Sequence, residues 1–323
     1  MNEWVVLAML GLILFVVAAI IYWSPRPQIK NLDDKYVLIT GCDSGFGRKL
    51  SIELDLCGCN IIACCLTKRG VEDLTSICSN RLYPIIVDVT NSDDIHRAVD
   101  LVGKHLPMGK GLWGMVNNAG IASTGAIEWT PLSKLRQIFN VNVFGMVEMT
   151  KAMLPLIKID QGRIVNLASM LGRFSVPYSA SYSMSKFAVE AFSDSLRREM
   201  KLFNVSVHII EPGFFKTHIL DNLEDEFLQL YHNCNNTIRQ DYGDHFAKEG
   251  VKKITEFNRS RASNNIAKVT KAIKDALFSP KPRERYLVGL EANILSLMAY
   301  LPSFISDHIL YISGQFPAPC RAI

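Results

Sequence analysis

The chain has 323 residues, 35 Lys and Arg against 31 Asp and Glu, and a formal net charge of +4. That length exceeds what one small domain needs, and the mild charge, with no dense Lys/Arg run, gives no electrostatic footprint for nucleic acid. The eight cysteines, Cys42, Cys57, Cys59, Cys64, Cys65, Cys78, Cys234 and Cys320, form no convincing C-x2-C ligand pair, so no structural metal is expected.

Trp4 to Trp23 carries no charge. A run of about 20 apolar residues matches the roughly 30 Å hydrocarbon core at helical rise. A cleaved signal peptide is the competing reading. Against it, Glu3 precedes the run with no Lys or Arg, and the run is longer than the usual apolar region of about 7–15 residues. Residues 1–23 are therefore expected to be a retained transmembrane helix. Arg26, Lys30 and Lys35 follow it, which places the rest of the chain in the cytosol by the positive-inside bias. In the reverse orientation, sequons at Asn204, Asn235 and Asn258 would be open to glycosylation. Residues 24–34, with Pro25 and Pro27, read as a linker.

Strand and helix patterns then alternate. Strands are expected at Tyr36–Thr40, Asn60–Cys65, Tyr83–Val87, Gly114–Asn117, Arg163–Ala168, Val205–Glu211 and Tyr286–Val288. Helices are expected from Gly45 to about Leu56 and over Asp93–His105, Pro131–Ile157 and Ser179–Phe203. Continuous apolar strands alternating with helices predict an α/β fold, a parallel sheet covered on both faces. Cys64 and Cys65, adjacent in one strand, point to opposite faces and read as small core hydrophobes. Buried thiols suit a reducing compartment. Residues 220–265 interrupt the alternation with polar, helical sequence. The tail, 291–323, is apolar again, but Glu291, Pro302, Asp307 and His308 argue against a second span. It reads as core packing, as an interfacial element, or as a wall for a greasy ligand.

Four motifs carry chemistry. Thr40-Gly41-Cys42-Asp43-Ser44-Gly45-Phe46-Gly47 joins a strand to a helix; glycines let backbone approach a pyrophosphate, and the helix N-terminus offers free N–H groups. Asp88 ends the third strand, where a carboxylate can accept from an adenine amino group or simply cap the next segment. Asn117-Asn118-Ala119-Gly120 closes the fourth strand with small residues that permit close approach, or with an ordinary turn. Tyr182 and Lys186 lie four apart, one helical face, thirteen residues after Ser169. A phenol is a poor base at neutral pH, and a nearby ammonium favours phenolate. Ser169 can hold a substrate oxygen, and Asn142 can hold a water behind Lys186.

On these motifs the chain resembles the short-chain dehydrogenase/reductases over about Lys35 to Val288. The resemblance implies a Rossmann-type doubly wound domain, here 35–290, with 220–265 as a substrate-side insertion. It implies a catalytic tetrad of Asn142, Ser169, Tyr182 and Lys186. Cofactor contacts would come from Gly41, Ser44, Gly45, Phe46, Gly47, Asp88, Asn117, Gly120, Tyr182, Lys186, Pro212, Gly213 and Thr217. The segments Ala63–Thr67, Gly111–Gly114 and Val189–Ser195 are similar to the branch that holds membrane-bound retinol and hydroxysteroid dehydrogenases and D-3-hydroxybutyrate dehydrogenase.

NADP-preferring relatives usually place a Lys or Arg before the second motif glycine. Here that position is Ser44, preceded by Asp43, whose carboxylate repels a ribose phosphate. Cys65 stands where many NAD-dependent relatives carry an acid, and Lys68 and Arg69 pull toward NADP. NAD is the expected cofactor. A small hydroxy acid needs a cation, and between Ser169 and Tyr182 the only one is Arg173. Phe214 and Phe215, with Ser169 and Tyr182, suit an apolar substrate. The expectation is an enzyme of the endoplasmic reticulum membrane, single-pass, its domain in the cytosol, that oxidises a retinol or hydroxysteroid. D-3-hydroxybutyrate is the alternative substrate. A nucleotide-binding membrane scaffold is the non-enzymatic alternative, disfavoured because Tyr182 and Lys186 are both present. Homo-oligomers are common in such families.

Overall fold

Among the described residues, seven strands form one parallel sheet in the order β3-β2-β1-β4-β5-β6-β7. They are β1 Tyr36–Thr40, β2 Asn60–Cys65, β3 Leu82–Ile86, β4 Gly114–Asn117, β5 Arg163–Leu167, β6 Ser206–Pro212 and β7 Arg285–Val288. The computed structural model describes residues 31–312 together with Ile29, Trp4, Met9, Gly11 and Ile13. The expected anchor at 1–23 lies outside the described residues apart from those isolated positions, as does the tail beyond 312 with Cys320. Among the described residues, no helix is long and apolar enough to cross a membrane.

The strands are apolar throughout because both faces are covered. Val37 and Ile39 of β1, with Ile61, Ala63 and Cys65 of β2, enter one core with α1 (Gly45–Leu56) and α9 (Ala267–Phe278). Leu38, Ile62 and Cys64 enter the other, with Ile95 and Val102 of α3 (Ser92–His105) and Met149 and Met153 of α5 (Met146–Ile159). The alternation places Cys64 and Cys65 on opposite faces, as read from sequence. Burial raises both thiols far above their ordinary range, so neither is a reactive nucleophile.

Local sequence explains the element ends. Asn91 caps α3, its Oδ1 accepting from the Asp93 and Asp94 N–H groups, and Lys104 and His105 complement the dipole at the far end. Thr67 likewise caps α2 (Lys68–Ile77) by accepting from Gly70 N–H. Pro84 is tolerated in β3 because that strand is at the sheet edge.

Two expectations need correction. The single helix expected over Pro131–Ile157 is α4 (Leu132–Phe139) and α5, joined by a π-helical segment, Asn140–Gly145. The widened turn is one that sequence periodicity does not reveal, and such bulges concentrate at functional sites. The helix expected over Ser179–Phe203 is α6, Ala180–Met200, tightened into a 3-10 turn at Lys201–Phe203. The 220–265 region forms α7 (Leu223–Asn233) and α8 (Asn236–Ser260), the latter broken at Gly243. Phe227, Leu230, Tyr231 and Phe246 pack there around Trp129. After β7 come α10 (Leu290–Met298) and α11 (Ser303–Ile312).

Candidate active site

Strand order reverses between β1 and β4, and a crevice at such a switch point is where open α/β sheets bind ligands. The Gly-rich turn after β1 forms its floor. Gly41 has φ +69°, and a Cβ there would lie 2.8 Å from Ala119 Cα. A Cβ on Gly47 would lie 2.3 Å from Gly41 O, so only glycine allows α1 to start this close to the turn. Ser44 precedes α1 without capping it through its side chain. The first N–H groups of α1 thus lack that partner and suit an anion.

Asn118 ties this turn to the end of β4. Its Nδ2 donates to Thr40 O (2.8 Å) and Gly41 O (3.0 Å), and Thr40 Oγ1 accepts from the Asn118 and Ala119 N–H groups. Asn117, at the end of β4, turns its side chain inward. Its side chain is buried and donates to Thr150 Oγ1 and Asn166 Oδ1, while Asn166 donates to Ser193 Oγ on α6. Asn117 therefore organises the sheet and the helix behind the crevice, leaving its backbone to shape the cofactor side. Thr217 lies over Gly45, where a Cβ would sit 3.4 Å away. Pro212 ends β6, and Gly213 N–H donates to Val288 O.

On the far side of the turn, Asp43 reaches across to the end of β2. Its carboxylate accepts from Leu66 N–H (2.7 Å), Thr67 N–H (2.9 Å) and Thr67 Oγ1 (2.6 Å). A carboxylate from the first turn thus stands beside Cys65 at the end of β2. Asp88 Oδ1 accepts from Thr90 N–H and Oγ1, closing a turn after β3 rather than capping α3. Phe46 meets Phe215 edge-to-face at 5.9 Å. Phe215, expected beside the substrate, is 5% exposed and packs in the core of the α1/α9 side. Its i+1 placement after Phe214 turns it away from the crevice.

Ser169, Tyr182 and Lys186 converge above β5. Ser169 is buried and accepts from Leu171 N–H. Lys186 is 5% exposed; its Nζ donates to Leu167 O (2.8 Å) and stands 5.6 Å from the Tyr182 ring centroid. Burial lowers Lys186 to about 8, against an opposing pull from Glu190. Burial pushes the Tyr182 phenol up to about 12, and a hydrogen bond with Ser169 pulls the other way. Burial thus outweighs the ammonium that stands over the ring, and the expected lowering of the phenol rests also on the positive charge of the nicotinamide. Asn142 anchors in the π-helical segment, its Oδ1 accepting from Ile121 N–H (2.8 Å) and its Nδ2 donating to Ile121 O and Ser185 Oγ. A Cβ on Gly120 would lie 3.3 Å from Asn142 Oδ1 and 3.7 Å from Lys186 Nζ, so both groups border the space that this glycine leaves open.

Next to Tyr182 is an apolar cluster of Met170, Leu171 and Ala292, with Val176, Phe214 and Leu295 packed on it. Leu295 and Ala292 come from α10, whose opposite face leaves Leu290, Ile294 and Leu297 exposed. Sequence reasoning named Phe214 here and gave a ligand wall as one reading of the apolar tail that carries Leu295, but it missed Val176, for which no local motif exists. It also missed Thr150, Asn166 and Ser193.

A glycine cradle at a helix N-terminus and a Ser-Tyr-Lys centre at the sheet's switch point define a dinucleotide-dependent oxidoreductase. Residues 35–227 match the family described as short chain dehydrogenase. Retinol dehydrogenase 16 of Mus musculus is 40% identical over 314 residues, 94% of this chain and 98% of the relative. The 17-beta-hydroxysteroid dehydrogenase type 6 of Rattus norvegicus is 42% identical over 301 residues, 92% and 94% of the two chains. A short-chain dehydrogenase structure from Streptomyces avermitilis has a TM-score of 0.67 at 26% identity, covering 87% of this chain and 96% of that one. The chain belongs to the short-chain dehydrogenase family and is an alcohol oxidoreductase using a nicotinamide cofactor.

Proposed function

We propose that this enzyme is a membrane-anchored, NAD-dependent dehydrogenase of lipophilic secondary or allylic alcohols, a hydroxysteroid or a retinol. The observation that carries the substrate class is what surrounds Tyr182: an apolar wall, with the one cation of the segment already engaged. Arg173 donates through Nε (3.0 Å) and Nη2 (2.9 Å) to Glu211, which is 0% exposed. It is therefore held in an ion pair and does not offer a carboxylate site for a hydroxy acid. The relatives named for retinol and 17-beta-hydroxysteroid support the same class. For NAD, the support is the Asp43 carboxylate at the end of β2, which repels a ribose phosphate.

When bound, oxidised nicotinamide supplies the hydride acceptor and a positive charge. The chain supplies the proton chemistry. Ser169 Oγ orients the substrate hydroxyl, and Tyr182 Oη takes its proton. Lys186 favours the phenolate through its ammonium field. Asn142, fixed by the Ile121 backbone and Ser185 Oγ, holds the water behind Lys186 through which a relayed proton can leave.

Membrane attachment is proposed through residues 4–23, in the endoplasmic reticulum, with the domain in the cytosol. The outer faces of α10 and α11 would rest on the bilayer: Leu297, Phe304 and Tyr311 are 69%, 75% and 86% exposed. A substrate dissolved in lipid would then start close to the apolar wall.

The test is NADH or NADPH formation by membranes carrying the full chain, offered all-trans-retinol, 3- and 17-hydroxysteroids or D-3-hydroxybutyrate. Turnover of retinol or a steroid, faster with NAD, is expected. Turnover of hydroxybutyrate alone would overturn the substrate class, and a preference for NADP would overturn the role given to Asp43. Sugar attached at Asn204, Asn235 or Asn258 in cells would overturn the orientation.

A further inference from the structure

Behind Lys186 lies a buried charge network that the chemistry above does not use. Tyr182, Lys186, Glu190 and Asp194 follow one another at four-residue spacing along α6. Glu190 is 7% exposed and Glu211, on β6, is 0% exposed. One guanidinium nitrogen, Arg285 Nη1 on β7, donates to both: to Glu190 Oε2, and to Glu211 Oε1 at 2.7 Å. Arg285 Nη2 donates to Asp194 (2.8 Å), and Arg173 reaches Glu211 from the turn after β5 and Ser296 on α10. These groups, with Lys186 one turn earlier, are the charges facing Glu190 from α6, β6, β7 and the post-β5 turn. Two carboxylate oxygens are left over, Glu190 Oε1 and Glu211 Oε2, both buried without a hydrogen-bond partner.

Two carboxylates gripped by one nitrogen, each with an orphaned buried oxygen, are costly if both are ionised. One proton between them supplies the missing donor. We propose that Glu190 is a positioning residue for the acid–base centre: it carries a proton held against Glu211, and its ionisation sets how firmly Lys186 keeps its ammonium charge. Burial and the neighbouring Glu211 both hold the Glu190 carboxyl well above the usual carboxylate range, consistent with that geometry. Glu190 in turn opposes the loss of the Lys186 proton. As pH rises, Glu190 ionises and supports the ammonium just as Lys186 would begin to lose it.

The role at Lys186 rests on the alcohol oxidation proposed above, whereas the proton does not, so two measurements separate them. In the first, Glu190→Gln and Glu190→Ala are melted across pH. An amide can donate to Glu211 as a carboxylic acid does, so Glu190→Gln should melt at or above wild type at pH 6 and Glu190→Ala well below it. A raised native pKa means the wild type loses stability as pH rises from the unfolded carboxylate range through the native value. Glu190→Gln does not titrate and should gain on wild type over that interval. Equal losses for Gln and Ala at pH 6 would overturn the shared proton. In the second, the alkaline limb of the kcat profile should fall by about half a pH unit or more in Glu190→Gln, since Lys186 loses its support. An unmoved limb would overturn the coupling to Lys186. Wild type silent toward every alcohol would instead sink the proposed function, and the melting result would stand.

Discussion

Tyr182→Phe is expected to lower turnover by about 1,000-fold or more while nucleotide binding survives. The substitution removes one oxygen from a side chain packed on the cluster of Met170, Leu171 and Ala292, so the apolar wall and the nucleotide cradle stay in place. What it removes is the group that takes the alcohol proton. A phenylalanine ring carries no other atom that can accept that proton. Single-turnover NADH formation, beside nucleotide titration of intrinsic fluorescence, separates the two effects. Turnover near wild type would remove Tyr182 from the acid–base role. Loss of nucleotide binding together with turnover would mean that the hydroxyl is structural.

The second large effect is expected at Arg285. This side chain holds Glu190, Asp194 and Glu211 together, and Glu211 is wholly buried. Arg285→Met keeps most of the stem and deletes the countercharge of buried Glu190, leaving Arg173 alone on Glu211. Breaking a buried ion network from one side costs about 3–5 kcal/mol, because an uncompensated charge stays behind. In a chain of this size that lowers the melting temperature by on the order of 10 °C. The deficit should shrink as pH falls, since protonating the carboxylates removes the unpaired charge. Thermal melts at pH 5 and pH 8 check both parts; a variant that melts with wild type at pH 8 would show that the network does not stabilise the fold. Since Arg285 is on β7 and Glu190 on the catalytic helix, the same variant joins the stability of the sheet edge to that of the active site.

Much of this architecture was legible before any coordinates. The strands were, because a sheet buried on both faces writes short continuous apolar runs, and glycine turns punctuate them. β1, β2 and β4 fall where the runs predicted. The break at Asn140–Gly145 was not legible: a π-helical turn preserves helical composition and is decided by Asn142 reaching the Ile121 backbone and Ser185 across the crevice. Asn117 shows the same limit. Its motif pointed to the cofactor, but its side chain is taken by Thr150 and Asn166, partners far away in sequence. Phe214 and Phe215 read as a pair, and packing separated them, one to the wall and one to the core.

By itself the sequence determined the chemistry's cast: the glycine turn, Ser169 and the Tyr182–Lys186 pair, whose spacings are local and follow from strand and helix geometry. Tertiary structure alone decided how those groups are tuned. It buried Lys186, brought Asp43 to the end of β2, laid α10 against Tyr182 and engaged Arg173 with Glu211. Each of these depends on contacts between segments distant in the chain. Burial and pairing set a group's charge, and neither is a property of its neighbours in sequence.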